Sequence, residues 1–259
     1  MDFCKERRLC FLNTRQGLKH IWAALELVDR TWQHELQQLS NLAEPVRALP
    51  VALFHNALLR IRLAFELGFS RCLPEACDLL RGAIESVAHA RVLLAKPHLV
   101  PVWAGKNLEG RYRQEFRREF GRRKVKQPGE RTKKKPERLI FGKEYGTGQL
   151  ERFWERYSEF GAHATSRGLA TRLAGDPQQR AGHIEFRYLD APRDSVEAVL
   201  CDMLVCSRVM EGVLYSGFEQ RLSLDYNLER MRQEMKTGVS RVVSWLRTKY
   251  AALLRSNAL

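Results

Sequence analysis

Helical periodicity runs through most of the chain. From Arg15 to Ser40 the apolar positions Leu18, Ile21, Trp22, Leu25, Val28, Trp32, Leu36 and Leu39 follow the three-and-four spacing of one helix face. Pro45 and Pro50 then punctuate the chain. Either can open the next helix, which carries Leu53, Phe54, Leu58, Ile61 and Phe65 and ends near Gly68. A third helix is predicted from Pro74, at a natural first-turn position, to about Ala95, with Pro97 closing it; the second and third form a helical hairpin. A more polar helix is predicted over roughly Val102 to Arg123, with Phe116 and Phe120 on one side. Beyond it, Lys124 to Lys135 has turn residues and no apolar period, and reads as a mobile loop.

Gly146 and Gly148 precede a helix from Gln149 to about Phe160, whose Leu150, Phe153, Trp154, Tyr157 and Phe160 make a wide apolar face. After Gly168 the pattern is irregular. Ile184, Phe186 and Tyr188 alternate as a short strand does, in an extended crossover or one arm of a small hairpin. Asp194 or Ser195 caps a long helix through Val199, Met203, Val209, Val213 and Phe218, and Ser223 can cap a last one carrying Met231, Met235, Val242, Trp245 and Leu253. The expected fold class is all-α: a multi-helix bundle with a long basic irregular insertion and at most one short strand or hairpin. It forms a single helical domain over residues 1–259, with N-terminal helices in 15–100, the basic helix and loop in 111–138 and C-terminal helices in 149–259.

Charge changes this picture more than composition does. A hydrophobic content of 44% over 259 residues is ample for a buried core. No apolar run of signal-peptide type follows the first residues and no uninterrupted apolar stretch reaches transmembrane length, so the expectation is a soluble cytoplasmic protein without a membrane partner. The formal net charge is +14, and Arg111 to Arg138 holds 13 Lys and Arg against 4 Asp and Glu. A clustered positive field recruits polyanions, whereas scattered charge mostly confers solubility. Arg113, Arg117, Arg118, Arg122, Arg123, Lys124, Lys126, Lys133, Lys134 and Lys135 are the candidate nucleic-acid contacts. Tyr112, Phe116 and Phe120 are interleaved with them, as on a surface that tracks a backbone and stacks bases. RNA or single strands are favoured over duplex DNA because no groove-reading motif is present. A solubilising loop and a membrane-surface patch are the plainer alternatives.

The six cysteines, Cys4, Cys10, Cys72, Cys77, Cys201 and Cys206, form pairs with four or five residues between them, not the two of a zinc knuckle or redox motif. In a helix a five-residue step turns the thiols about 500° apart, so they read as reduced, buried small hydrophobes. No metal site follows from them. P-loop, dinucleotide-binding, serine-elbow and H-E-x-x-H motifs do not occur, which argues against nucleotide hydrolysis, nicotinamide redox chemistry and zinc proteolysis; no cofactor is implied.

Two polar constellations stand out. Arg81, Glu85 and His89 are spaced four and four on the otherwise apolar third helix, a stripe that must be paired if it is buried. An Arg-Glu-His ion network cross-linking helices is the structural reading, with His55 and Arg60 of the preceding helix as partners, and the network could equally form the floor of a cleft. Arg156 and His163 lie seven residues apart, two turns along one face if the segment is helical. A His can move the proton of a ribose 2′-hydroxyl while an Arg holds the charge that builds on phosphorus. Arg167, with the nearby hydroxyls of Ser158, Thr165 and Ser166, would add to a phosphate site. The plainer reading pairs Arg156 with Glu159 and lets His163 end the helix.

Leu79-Leu-Arg-Gly-Ala-Ile-Glu85, then Pro97-His-Leu99 and Trp103, then Tyr157-Ser-Glu-Phe-Gly-Ala-His163, together resemble an uncharacterised family of all-helical bacterial proteins over roughly Val51 to Leu173. That resemblance implies a helical fold and little about function. The Arg-x6-His spacing is also similar to the motif of HEPN-type ribonucleases, helical dimers of toxin and antiviral-defence systems. It implies Arg156 and His163 as a metal-independent catalytic pair in a cleft between protomers, leaving a cyclic phosphate. That family usually has a small polar residue after the Arg, and here it is Tyr157. Two functions therefore stand at this stage: a metal-independent endoribonuclease, and a non-catalytic helical adaptor binding nucleic acid or an acidic protein through the basic segment.

Overall fold

Asp2 opens the first helix by accepting from the backbone N–H groups of Cys4 at 3.1 Å and Lys5 at 3.3 Å, two donors that a helix start leaves bare. That helix, α1 (Phe3–Gly17), has no wide apolar stripe: Phe3, Leu9 and Leu12 are exposed and only Thr14 is fully buried. The structure is a computed structural model and describes residues 2–40, 45–108, 110–123, 137–160, 173–174, 185–186 and 193–256. Next come α2 (Lys19–Leu39), α3 (Pro45–Phe69) and α4 (Leu73–Ala95), all close to the periods read from the sequence. Pro45 starts α3, and Pro50 lies inside it, where a missing N–H forfeits one intrahelical bond.

Between α3 and α4 the chain reverses through Arg71, whose φ of 64° is left-handed. The Cys72 N–H returns to the Leu67 carbonyl at 2.9 Å and the Arg71 N–H to Gly68 at 3.0 Å, closing the helix end. Glycine is usual at such a position, and a side chain there costs about 1–2 kcal/mol.

The polar helix expected over Val102 to Arg123 is instead two pieces, α5 (Val100–Ala104) and α6 (Arg111–Phe120). Gly110, with φ of 87°, and Gly105 lie between them, and the break lets α6 fold back. After it, β1 (Arg122–Arg123) pairs antiparallel with β2 (Glu137–Arg138), Arg122 opposite Arg138 and Arg123 opposite Glu137. The helix α7 (Gly148–Phe160) follows. Phe186 then pairs with Leu173 in a second small ladder, β3 (Leu173–Ala174) with β4 (Glu185–Phe186). The last elements are α8 (Arg193–Gly217), α9 (Glu219–Leu222) and α10 (Tyr226–Ser256). Asp225 takes the capping role expected of Ser223. Its carboxylate accepts from the N–H groups of Asn227 and Leu228 and also from His34 at 2.6 Å, which holds it below the usual carboxylate range and ties α10 to α2.

The fold is all-α, with the α3–α4 hairpin against α8 at its centre. α7 covers α4, and α2 pairs with α10 on the far side of α8. Trp32, Phe54, Ile61, Phe65, Leu80, Ile84, Leu200 and Met203 are each at most 1% exposed, and burying such side chains contributes roughly 1.5–3 kcal/mol apiece. Over Arg47–Phe69, α3 is long and apolar enough to cross a membrane by length and composition, but 50% of that stretch is buried in the bundle, as in a core helix. All six cysteines are free thiols, and four of them, Cys72, Cys77, Cys201 and Cys206, are buried. Burial pushes the Cys77 thiol up to about 12 and Cys201 up to about 11, so these are packing groups rather than nucleophiles.

One ion cluster lies in the interior. Arg232 of α10 donates to Glu211 of α8 at 2.6 Å, lies 3.7 Å from Glu35 of α2 and stacks 3.4 Å over the Tyr215 ring. Two carboxylates facing one principal cation cannot both ionise cheaply. Burial first, and the neighbouring Glu211 second, hold Glu35 well above the usual carboxylate range.

Candidate nucleic-acid interface

The basic helix α6 is fixed by its apolar side. Phe116 and Phe120, four residues apart, stack at 4.9 Å, and both rings press on His89 of α4 at 6.0 and 5.5 Å. Trp103 closes a third side of the imidazole at 6.2 Å. Lys106 lies 3.4 Å over the Trp103 ring, a cation–π contact at the edge of the same box. Burial first and Lys106 second push His89 down to about 4, so at neutral pH it is an uncharged member of an aromatic cluster. His89 is therefore not the third member of an ion network with Arg81 and Glu85. The four-residue spacing put it on their helix face, but the α5–α6 turn covers that end of the face with rings.

Arg111 and Arg118 lie opposite the rings on α6, whereas Arg113 and Arg117 flank them, within about 100° around the helix. Arg111, Arg113, Arg117 and Arg118 are exposed. Arg118 is engaged by Glu119 at 2.9 Å and Glu115 at 3.2 Å, and Arg111 lies 3.9 Å from Glu115. Arg113 and Arg117, one turn apart, pair with no carboxylate among the described residues. The ladder at Arg122 and Arg123 joins the two chain ends that flank residues 124–136. Lys124, Lys126, Lys133, Lys134 and Lys135 fall within that stretch and lie outside the described residues, as do His163 and Arg167.

Arg81 and Glu85 do pair, at 3.1 Å, with Asp78 at 3.3 Å as a second partner of Arg81. What completes them is Trp154 of α7, whose indole N–H donates to Glu85 at 2.8 Å. The Arg138 guanidinium lies 3.5 Å over the Trp154 ring, so Trp154 links the base of the basic segment to α4. The partners expected for the stripe lie elsewhere. His55 is exposed on α3, and Arg60 runs against Gly82, where a Cβ would meet its Nη1 at 2.2 Å. Trp154 and Trp103 were not legible as site residues, since an aromatic in an apolar face reads as core.

Arg156 turns away from this assembly. It is two residues from Trp154, about 200° around the helix. Its guanidinium is paired with Asp202 of α8, whose second carboxylate oxygen accepts from the Tyr157 hydroxyl at 2.9 Å. Tyr157 is 2% exposed, and burial pushes its hydroxyl well above the usual range. The Tyr that departs from the nuclease pattern thus shares one carboxylate with Arg156. The structure brings Arg81 and Glu85 together with α7, and α6 together with α4 through His89; Arg156 faces α8. Comparison with protein-family models, curated proteins and solved structures finds no match to the chain.

Proposed function

We propose that the protein binds nucleic acid, RNA or another single strand, through the outer face of α6 and the basic chain that follows it. The observation that carries this reading is the division of α6. Phe116 and Phe120 are locked on His89, while Arg113 and Arg117 stand exposed, with no carboxylate partner among the described residues, on a helix that cannot roll to hide them. The fixed helix presents the two guanidiniums one turn apart, where each can hold a phosphate. The Lys residues in 124–136 and Arg122 and Arg123 extend the same charge along the sequence.

Binding without cleavage is the favoured form. The cation expected to stabilise phosphorus, Arg156, is already matched by Asp202, which lowers what it offers to a transition state. The test is incubation of labelled RNA and single-stranded DNA with wild-type, Arg113→Gln/Arg117→Gln and His163→Ala proteins, with and without EDTA. Retention of RNA by wild type and His163→Ala, and its loss in the double Arg variant, supports the reading. Chelator-resistant cleavage abolished by His163→Ala would replace it with a metal-independent ribonuclease. Failure of wild type to retain either strand, with capture of an acidic polypeptide instead, would move the surface to a protein partner.

A further inference from the structure

We propose that a cavity between α1, α2 and α3, on a different part of the fold from α6, is a second site, for a small amphipathic anion with an aromatic or aliphatic body. The cavity has a volume of about 550 Å³, within the range of small-molecule sites. Its walls are Phe11, Trp22, Leu25 and Phe65, and the rings are held before any ligand arrives. Phe11 meets Trp22 edge-on at 5.7 Å, and the Trp22 indole N–H donates to Glu26 at 2.6 Å. Cys4, Arg7, Arg8 and Phe11 recur at three- and four-residue steps, so the face that α1 fails to bury in the core is the face that lines this cavity.

The lining carries three arginines and three carboxylates, and the pairing among them sets which charge faces the ligand. Arg62 is committed to Asp29 through two hydrogen bonds, at 2.6 and 3.2 Å, and Arg7 to Glu66 at 3.3 Å. Glu26 is engaged by the Trp22 N–H. Arg8 pairs with no carboxylate among the described residues, and Arg15 is held by the Trp22 ring at 4.2 Å. With Arg62 and Arg7 neutralised in ion pairs, Arg8 on α1 and Glu26 on α2 are the lining charges left over, and an apolar body seated on Phe11, Leu25 and Phe65 with its polar end toward α1 meets the Arg8 guanidinium, which a carboxylate or phosphate satisfies.

The full-length protein is titrated with 1-anilinonaphthalene-8-sulfonate and with its uncharged parent, N-phenyl-1-naphthylamine, followed by fluorescence. The sulfonate is expected to bind saturably and about tenfold more tightly than the parent, the worth of one charged hydrogen bond. Arg8→Gln removes that advantage and leaves the parent's affinity unchanged. Cys4→Trp, at an exposed position on the lining, blocks both probes while the thermal unfolding midpoint stays where it was. Displacement of the sulfonate by octanoate or by octyl phosphate supports the site and identifies the preferred head group. Unsaturable binding, equal affinity for the two probes, indifference to Cys4→Trp in the folded variant, or displacement by neither competitor overturns it.

Discussion

Replacing His89 by Phe isolates the contact that holds α6 in place. The imidazole is held at about 4 against an ordinary 6.5, with Trp103, Phe116, Phe120 and Lys106 around it. The unfolded chain therefore takes up a proton that the folded one refuses. This contribution to stability is complete above the ordinary value and is lost as pH falls toward the folded one. Each pH unit in that window is worth about 1.4 kcal/mol, so lowering the pH from neutral to about 5 costs about 2 kcal/mol through His89 alone. Phe fits the same ring cluster and cannot titrate. Urea unfolding at about pH 7.5 and about pH 5 should show the wild type losing about 2 kcal/mol more than His89→Phe, since losses from carboxylates are common to both and cancel. Equal losses in the two proteins would refute the neutral, caged imidazole.

Other interior features give sharp expectations. Arg232→Met leaves Glu211 and Glu35 buried without their main cation and should cost about 3–5 kcal/mol in urea unfolding, more at alkaline than at mildly acidic pH. Glu35→Gln tests the other side of that cluster. A raised carboxyl contributes stability that is present at low pH and is lost as pH rises through its folded value, so the variant's stability should fall less than the wild type's between mildly acidic and alkaline pH. Gly68→Ala and Gly82→Ala should differ. A Cβ on Gly68 meets the buried Leu200 at 2.8 Å and should cost about 1–3 kcal/mol, whereas one on Gly82 displaces the end of Arg60, and the helix-propensity gain should hold the net change within about 1 kcal/mol. Thermal or urea melts of the pair check this directly.

The long helices were legible because their stripes are strong. Pro74 and Pro97 and the apolar steps between them place α4 within a residue or two, while α3 starts at Pro45, one of the two prolines that could open it. α1 escaped because its inward face serves a cavity rather than the core, so Cys4, Arg7 and Arg8 interrupt the period. The break between α5 and α6 escaped because polar helices carry little period to lose, and Gly105 and Gly110 were its only marks. At the site, spacing alone placed Arg81 and Glu85 together correctly. It could not separate His89 from them, because rings arriving from α5 and α6 are a tertiary event. The pairing of Arg156 with Asp202, 46 residues away, was beyond any local rule.

The most direct test of the α6 surface is the salt dependence of RNA binding. Fluorescence anisotropy of a labelled single-stranded RNA, titrated over a range of monovalent salt, gives the slope of log affinity against log salt for wild type and Arg113→Gln/Arg117→Gln. If each Arg neutralises one phosphate, the double variant binds more weakly and its slope is shallower by about 1.4, twice the single-strand value per contact. An unchanged slope and affinity in a folded double variant would contradict the assignment of this face to nucleic acid.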